Sequence, residues 1–166
     1  IAAKNNDSYS KMDAMENTAE QTGSLIDHLM EQISFLEISQ REKDLVEHLF
    51  FRLNGDGFFV ETFEDIIKNN PLEATEGEWR NAIEILQTLE PEGVGAFGLE
   101  DSLLLQLKIK DMVAPLLEKL IKEHFQDILH NKLPKVAKDM NISMEDLKVL
   151  IKSLRHLNPK PGAAYS

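Results

Sequence analysis

The sequence predicts an all-α protein of about eight helices in two helical subdomains, each containing a helix-turn-helix-like tri-helical unit. Three observations carry this. Apolar residues recur at spacings of three and four in long runs, the pattern of one helix face. No segment alternates apolar and polar residues as a half-buried strand would. Four of these runs open with Ser or Thr standing three residues before an acid, which is how helix N-termini are capped.

The elements follow in order. Residues 1–24 are polar and acidic, with no sustained apolar period; a disordered arm or linker is expected, with a transient turn near Met12. Leu25, Ile26, Leu29, Met30, Ile33 and Leu36 then share one helix face. Ser39 and Glu42 cap a second helix carrying Leu45, Val46, Leu49, Phe50 and Leu53, stopped by Asn54-Gly55-Asp56-Gly57. Phe58, Phe59 and Val60 are expected to plug the core. Thr62 and Asp65 cap a short helix through Ile66 and Ile67 that ends before Pro71. Thr75 and Glu78 start a longer one along Trp79, Ala82, Ile83, Leu86 and Leu89, ended by Glu90-Pro91-Glu92-Gly93. A glycine loop runs to Gly98, followed by a helix with Leu99, Leu103, Leu104 and Leu107. The last third predicts a long helix from Met112 and Val113 to Leu129, with Pro115 in its first turn. A short helix opened by Pro134 and a final one capped by Ser143 and Asp146 complete the chain, the last carrying Leu147, Leu150, Ile151, Leu154 and Leu157.

The chain contains an internal repeat. Thr75, Ala82, Ile83, Leu86, Leu89 and Pro91 align with Ser143, Leu150, Ile151, Leu154, Leu157 and Pro159 at an offset of 68. Ile66-Ile67-Lys68 aligns with Val136-Ala137-Lys138 at an offset of 70. Each copy reads as short helix, tight turn, capped helix and proline stop, the outline of a helix-turn-helix. Two such units imply subdomains at 25–107 and 108–162, meeting near residues 108–111, with 163–166 opening a linker. Leu86 and Leu154 are expected to fill equivalent core sites.

The net charge of −11 is unevenly placed. Residues 25–107 hold five basic and eighteen acidic residues, net −13, whereas residues 108–166 are net +4. Phosphates repel the first segment, so it cannot hold nucleic acid by counterion release. It suits a basic protein surface. There is no cysteine, which removes disulfides, thiolate nucleophiles and thiolate zinc sites. No apolar run approaches the ~20 residues of a membrane-spanning helix. The chain opens with Ile1 and no signal peptide follows, so a piece of a longer protein is expected.

Several motifs fail on their context. Gly93-Val94-Gly95-Ala96-Phe97-Gly98 fits the dinucleotide-loop pattern, but a helix ending in acids precedes it where a strand is required. Asn54-Gly55-Asp56-Gly57 suggests a calcium loop, yet the flanking ligand positions would be Arg52 and Phe63. The five histidines form no metal-binding pair. No serine or carboxylate has a catalytic context, so no enzyme activity, cofactor or metal is expected.

The stretch Leu86-Gln87-Thr88-Leu89-Glu90-Pro91-Glu92-Gly93-Val94-Gly95-Ala96, with Leu99 and Ser102-Leu103-Leu104-Leu105-Gln106-Leu107 after it, resembles the core-binding region of the sigma-54 family. These are bacterial alternative sigma factors that bind RNA polymerase. Asn54-Gly55-Asp56-Gly57-Phe58 is similar to that region's acidic Asp-Gly-aromatic turn, and Leu25 to Phe35 to its opening helix with a Leu-x-x-Gln-Leu-type pattern. Leu157-Asn158-Pro159-Lys160-Pro161-Gly162 is similar to its closing motif. The resemblance spans residues 25–162. It departs at Phe97-Gly98, where the family loop carries arginine and an acid.

The resemblance implies a core-RNA-polymerase-binding domain, monomeric and cytoplasmic in a bacterium. Promoter DNA and an activator ATPase would engage only regions outside this chain. With the charge split it nominates Asp56, Glu61, Glu64, Glu90, Glu92, Val94, Glu100 and Asp101 for polymerase contact, and Lys148, Lys152 and Arg155 for proximity to nucleic acid. Two other readings use the same residues: a helix-turn-helix DNA-binding regulator acting through Lys148, Lys152 and Arg155, and a helical adaptor for another basic protein.

Overall fold

The computed structural model describes residues 25–165; the expected arm over residues 1–24 lies outside them. The described residues form eight α-helices and no strand. They are α1 (residues 25–34), α2 (Gln40–Phe50), α3 (Phe63–Lys68), α4 (Glu76–Gln87), α5 (Leu99–Ile109), α6 (Pro115–Leu129), α7 (Leu133–Met140) and α8 (Met144–Leu154), with a closing 3₁₀ turn at Pro161–Ala164. The four expected caps are in place: the side chains of Ser39, Thr62, Thr75 and Ser143 accept from the backbone N–H of Glu42, Asp65, Glu78 and Asp146. Pro115 occupies the first turn of α6, where its missing N–H has no helical partner to lose.

The chain separates into two compact units, one of residues 25–97 with 160–165 and one of residues 98–159. The division therefore falls at Gly98, not near 108–111. α5 belongs to the second unit because Leu103 and Leu107 pack with Leu117, Ile121 and Phe125 of α6. An apolar stripe marks a face but does not name its partner. Residues 163–165 also differ from the expected linker, because they are tied into the first unit.

The first unit is built on α2 and α4. Leu45, Val46, Leu49 and Phe50 meet Trp79, Ala82, Ile83 and Leu86, with Leu25, Leu29 and Ile33 of α1 completing the core. The two capping boxes are cross-linked. Arg41 Nε donates to Glu78 Oε2 at 3.0 Å, and Asn81 Nδ2 donates to Glu42 Oε2 at 2.8 Å. Phe58 and Phe59 are buried as expected, but Val60 is 77% exposed. Single-residue bridges of Phe59 with Leu53 and of Phe58 with Ala96 hold the neighbouring backbone, and Val60 lies past their end.

The second unit has two smaller clusters. One joins α5 and α6 with Leu157, and the other packs Leu120 against Val136, Ala137, Met140 and Leu147. Met112 and Val113 precede α6 rather than belonging to it, and Val113 is 53% exposed.

The repeat in the sequence extends to the preceding helices. Gln32 of α1 and Gln106 of α5 each clamp the backbone before a proline. Gln32 Nε2 donates to Glu90 O at 2.6 Å while Glu90 N–H donates to Gln32 Oε1 at 2.8 Å. Gln106 Nε2 donates to Asn158 O at 2.7 Å while Asn158 N–H donates to Gln106 Oε1 at 2.7 Å. Each unit is thus helix with glutamine, second helix, helix-turn-helix, and clamped X-Pro. One difference is depth: Leu86 is fully buried, but its repeat partner Leu154 is half-buried, so the two are not equivalent core sites.

Candidate functional site

Three glycine-bearing segments converge on the first unit. Asn54 Oδ1 accepts from the N–H groups of Asp56 and Phe58, both at 3.0 Å, and so closes the Asn54–Phe58 turn on itself. Gly57 O accepts from Gly95 N–H at 2.9 Å, Ala96 O from Phe59 N–H at 2.9 Å, and Asp56 O from Gly162 N–H at 2.9 Å. Gly57 and Gly95 have φ of +90° and +79°, which side-chain-bearing residues rarely adopt. A Cβ on Gly162 would lie 2.5 Å from Gly55 O. The turn, the glycine loop and the closing motif form one backbone knot, and Tyr165 extends it by stacking on His28 at 4.6 Å between ring centroids. Burial, and then the charge of Glu90, raises the Tyr165 phenol above its ordinary value.

Around this knot the nominated residues separate. Asp56 is half-buried in the turn itself, and Glu92 is half-buried in the glycine loop. Glu90 is exposed, held through its backbone by Gln32. Glu64 is exposed in the first turn of α3, and Glu61 pairs with Arg52 at 3.3 Å. Val94 is fully buried in the first core, so it packs and presents nothing to a partner. Glu100 and Asp101 are exposed in the first turn of α5 and belong to the second unit.

Glu42 of α2 and Glu78 of α4 do structural work. A hydrogen bond from Arg41, then one from the Thr75 backbone, hold the Glu78 carboxyl below its ordinary range. Glu42 is lowered by the Ser39 backbone, and then by Asn81. Glu78 raises Arg41 in turn. His48, 5.5 Å from Trp79 between ring centroids, is lowered by burial, and then by Arg52.

Lys148, Lys152 and Arg155 are exposed and share one face of α8. At the N-terminal end of that helix stand Glu145 and Asp146, where a DNA-reading helix would meet base edges. Among the described residues no group of three or more His, Asp or Glu is placed to hold a metal, and no helix is long and apolar enough to cross a membrane. The glutamine clamps are what the sequence reading missed. Their signal is the shared pattern Leu29-Met30-Glu31-Gln32-Ile33 and Leu103-Leu104-Leu105-Gln106-Leu107.

The fold and this site define a class: a duplicated all-helical module whose first unit closes on a glycine knot. The family described as "Sigma-54 factor, core binding domain" matches residues 14–166, so the chain belongs to the sigma-54 factor family and carries its core-binding domain. The RNA polymerase sigma-54 factor of Azorhizobium caulinodans is 29% identical over 142 residues, covering 86% of this chain and 27% of that protein. That of Azotobacter vinelandii is 30% identical over 147 residues, 84% of this chain and 29% of its own. That of Bacillus subtilis is 25% identical over 167 residues, 96% of this chain and 38% of its own. The chain thus spans about a third of the length of these relatives.

Proposed function

We propose that this chain binds core RNA polymerase through the acidic surface of its first unit, with Asp56, Glu61, Glu64, Glu90 and Glu92 meeting a basic polymerase surface. Glu100 and Asp101 add acidic contacts from the second unit. The observation that carries the reading is the core-binding-domain match over residues 14–166, supported by the exposure of Glu64 and Glu90 in the first unit. Rim charges of this kind steer association and are screened by salt. In the full-length protein the domain keeps polymerase at a promoter for activator-dependent initiation, and promoter DNA and the activator ATPase engage regions outside residues 1–166. Lys148, Lys152 and Arg155 of the second unit lie near nucleic acid in that assembly without reading its sequence. The fragment acts as a monomer in the bacterial cytoplasm and needs no cofactor.

The test is a pull-down of purified core polymerase over a salt series. Retention should fall between ~50 and ~300 mM salt, as the Debye length shortens to several ångströms. Retention that is unchanged across the series would mean apolar contacts dominate. Absence of retention at low salt would remove the reading.

A further inference from the structure

The two units differ where the chain leaves the clamped proline. In the first, the backbone folds back over α4. Gly95 sits so close to Leu86 that a Cβ would overlap its Cδ2, Gln87 Nε2 donates to Gly95 O at 2.9 Å, and Val94 is fully buried beside them. The second unit carries Leu154, Arg155 and Leu157 at the repeat positions of Leu86, Gln87 and Leu89. The segment past Pro159 belongs instead to the first unit, where it is tied to Asp56 and His28. Among the described residues of the second unit, nothing takes the place of Val94. A groove of about 440 Å³ results, lined by Leu99 and Leu103 of α5, Ile128 of α6, and Leu154, Arg155 and Leu157. That volume falls in the ~300–1,000 Å³ range of ligand sites.

We propose that this groove is a peptide-docking site. Its occupant is a turn-forming segment of a protein partner that carries one aliphatic side chain between small residues, with acids just N-terminal to it, as Val94 N–H closes on Pro91 O at 3.1 Å in the covered copy. The covered copy in the same chain states what fits: Val94 fills the apolar pocket, the glycines beside it allow backbone approach, and Glu90 and Glu92 precede it. Arg155 stands where Gln87 donates to Gly95 O, so it supplies a donor to the incoming backbone. Unlike Gln87 it is a cation, and with exposed Lys152 three residues away it favours an acidic peptide. This inference stands apart from polymerase binding by the first unit.

The test uses the whole chain with methyl-labelled Ile and Leu, titrated with the acetylated, amidated peptide Glu-Pro-Glu-Gly-Val-Gly-Ala-Phe-Gly, the sequence of residues 90–98. Methyl signals of Leu103, Ile128 and Leu154 should shift and saturate with Kd of ~1 mM, the order expected for a short unconstrained peptide. Those of Ile83 and Leu86, whose groove is filled, should not move. Arg155→Glu, a change of an exposed side chain, should weaken binding about five-fold, the order of one exposed charge pair. No shift at peptide concentrations well above that Kd would overturn the proposal, as would equal binding of the peptide with Asp in place of Val. So would groove shifts on simple dilution of the chain, which make a second copy the occupant. Groove shifts on removing residues 1–24 would assign the site to the chain's own N-terminal segment.

Discussion

Replacing Gln106 by leucine should destabilise the second unit far more than the same change at Gln32 destabilises the first. The two clamps have the same geometry, with paired bonds of 2.7 and 2.7 Å at Gln106 and 2.6 and 2.8 Å at Gln32. Their surroundings differ. Gln106 is 1% exposed and its amide also reaches Ser102 Oγ at 3.2 Å, whereas the Gln32 bonds are open to solvent. An intramolecular hydrogen bond is worth ~0.5–1.5 kcal/mol net, and a buried group stripped of its partner costs ~1–3 kcal/mol. Gln106→Leu removes two part-buried bonds to the Asn158 backbone and a buried one to Ser102, for a cost of ~2–4 kcal/mol. At Gln32 water replaces the lost partner, and the cost falls to ~0.5–1.5 kcal/mol. Urea denaturation gives the totals, and amide exchange shows whether the first loss stays within residues 98–159. Equal costs at the two sites would refute the reasoning, because burial is the main feature that separates them.

Two further outcomes follow from the same structure. Leu86→Ala removes a fully buried side chain and should cost ~2–5 kcal/mol, whereas half-buried Leu154→Ala should cost about half as much; denaturation midpoints compare them directly. His48 is held below its ordinary 6.5, so the unfolded chain takes its proton first as pH falls, and the stability it contributes is complete above 6.5 and lost as pH drops through the folded value. Melting temperature should therefore decline between pH ~7 and ~5.5 in the parent, and decline less in His48→Leu.

The helices were legible because their signals are local. A serine or threonine three residues before an acid, an apolar stripe and a glycine or proline stop act within one turn, and Ser39, Thr62, Thr75 and Ser143 all cap as read. What the sequence hides is which stripe meets which. Leu103 and Leu107 pack forward onto α6, so α5 changes units. The repeat was visible at α4 and α8, but its extension to α1 and α5 rests on glutamines bonded to backbone 58 and 52 residues away. Val94, nominated for polymerase contact, is instead buried where Gly57, Gly95 and Gly162 converge. The acids divide in the same way. Glu42 and Glu78 are engaged in capping boxes and an interhelical link, which spacing alone shows only in part, while Glu64 and Glu90 remain at the surface.

The central claim is that acids of the first unit hold polymerase. Its most direct measurement is the affinity of two charge-reversed chains for core RNA polymerase at ~50 mM salt, where surface charges are screened least. One carries Glu64→Lys with Glu90→Lys in the first unit, the other Lys148→Glu with Lys152→Glu in the second. All four side chains are exposed, so the fold is expected to persist in both. The account predicts at least ~10-fold weaker binding for the first chain and a change within ~2-fold for the second. Equal effects, or a loss confined to the second chain, would contradict it.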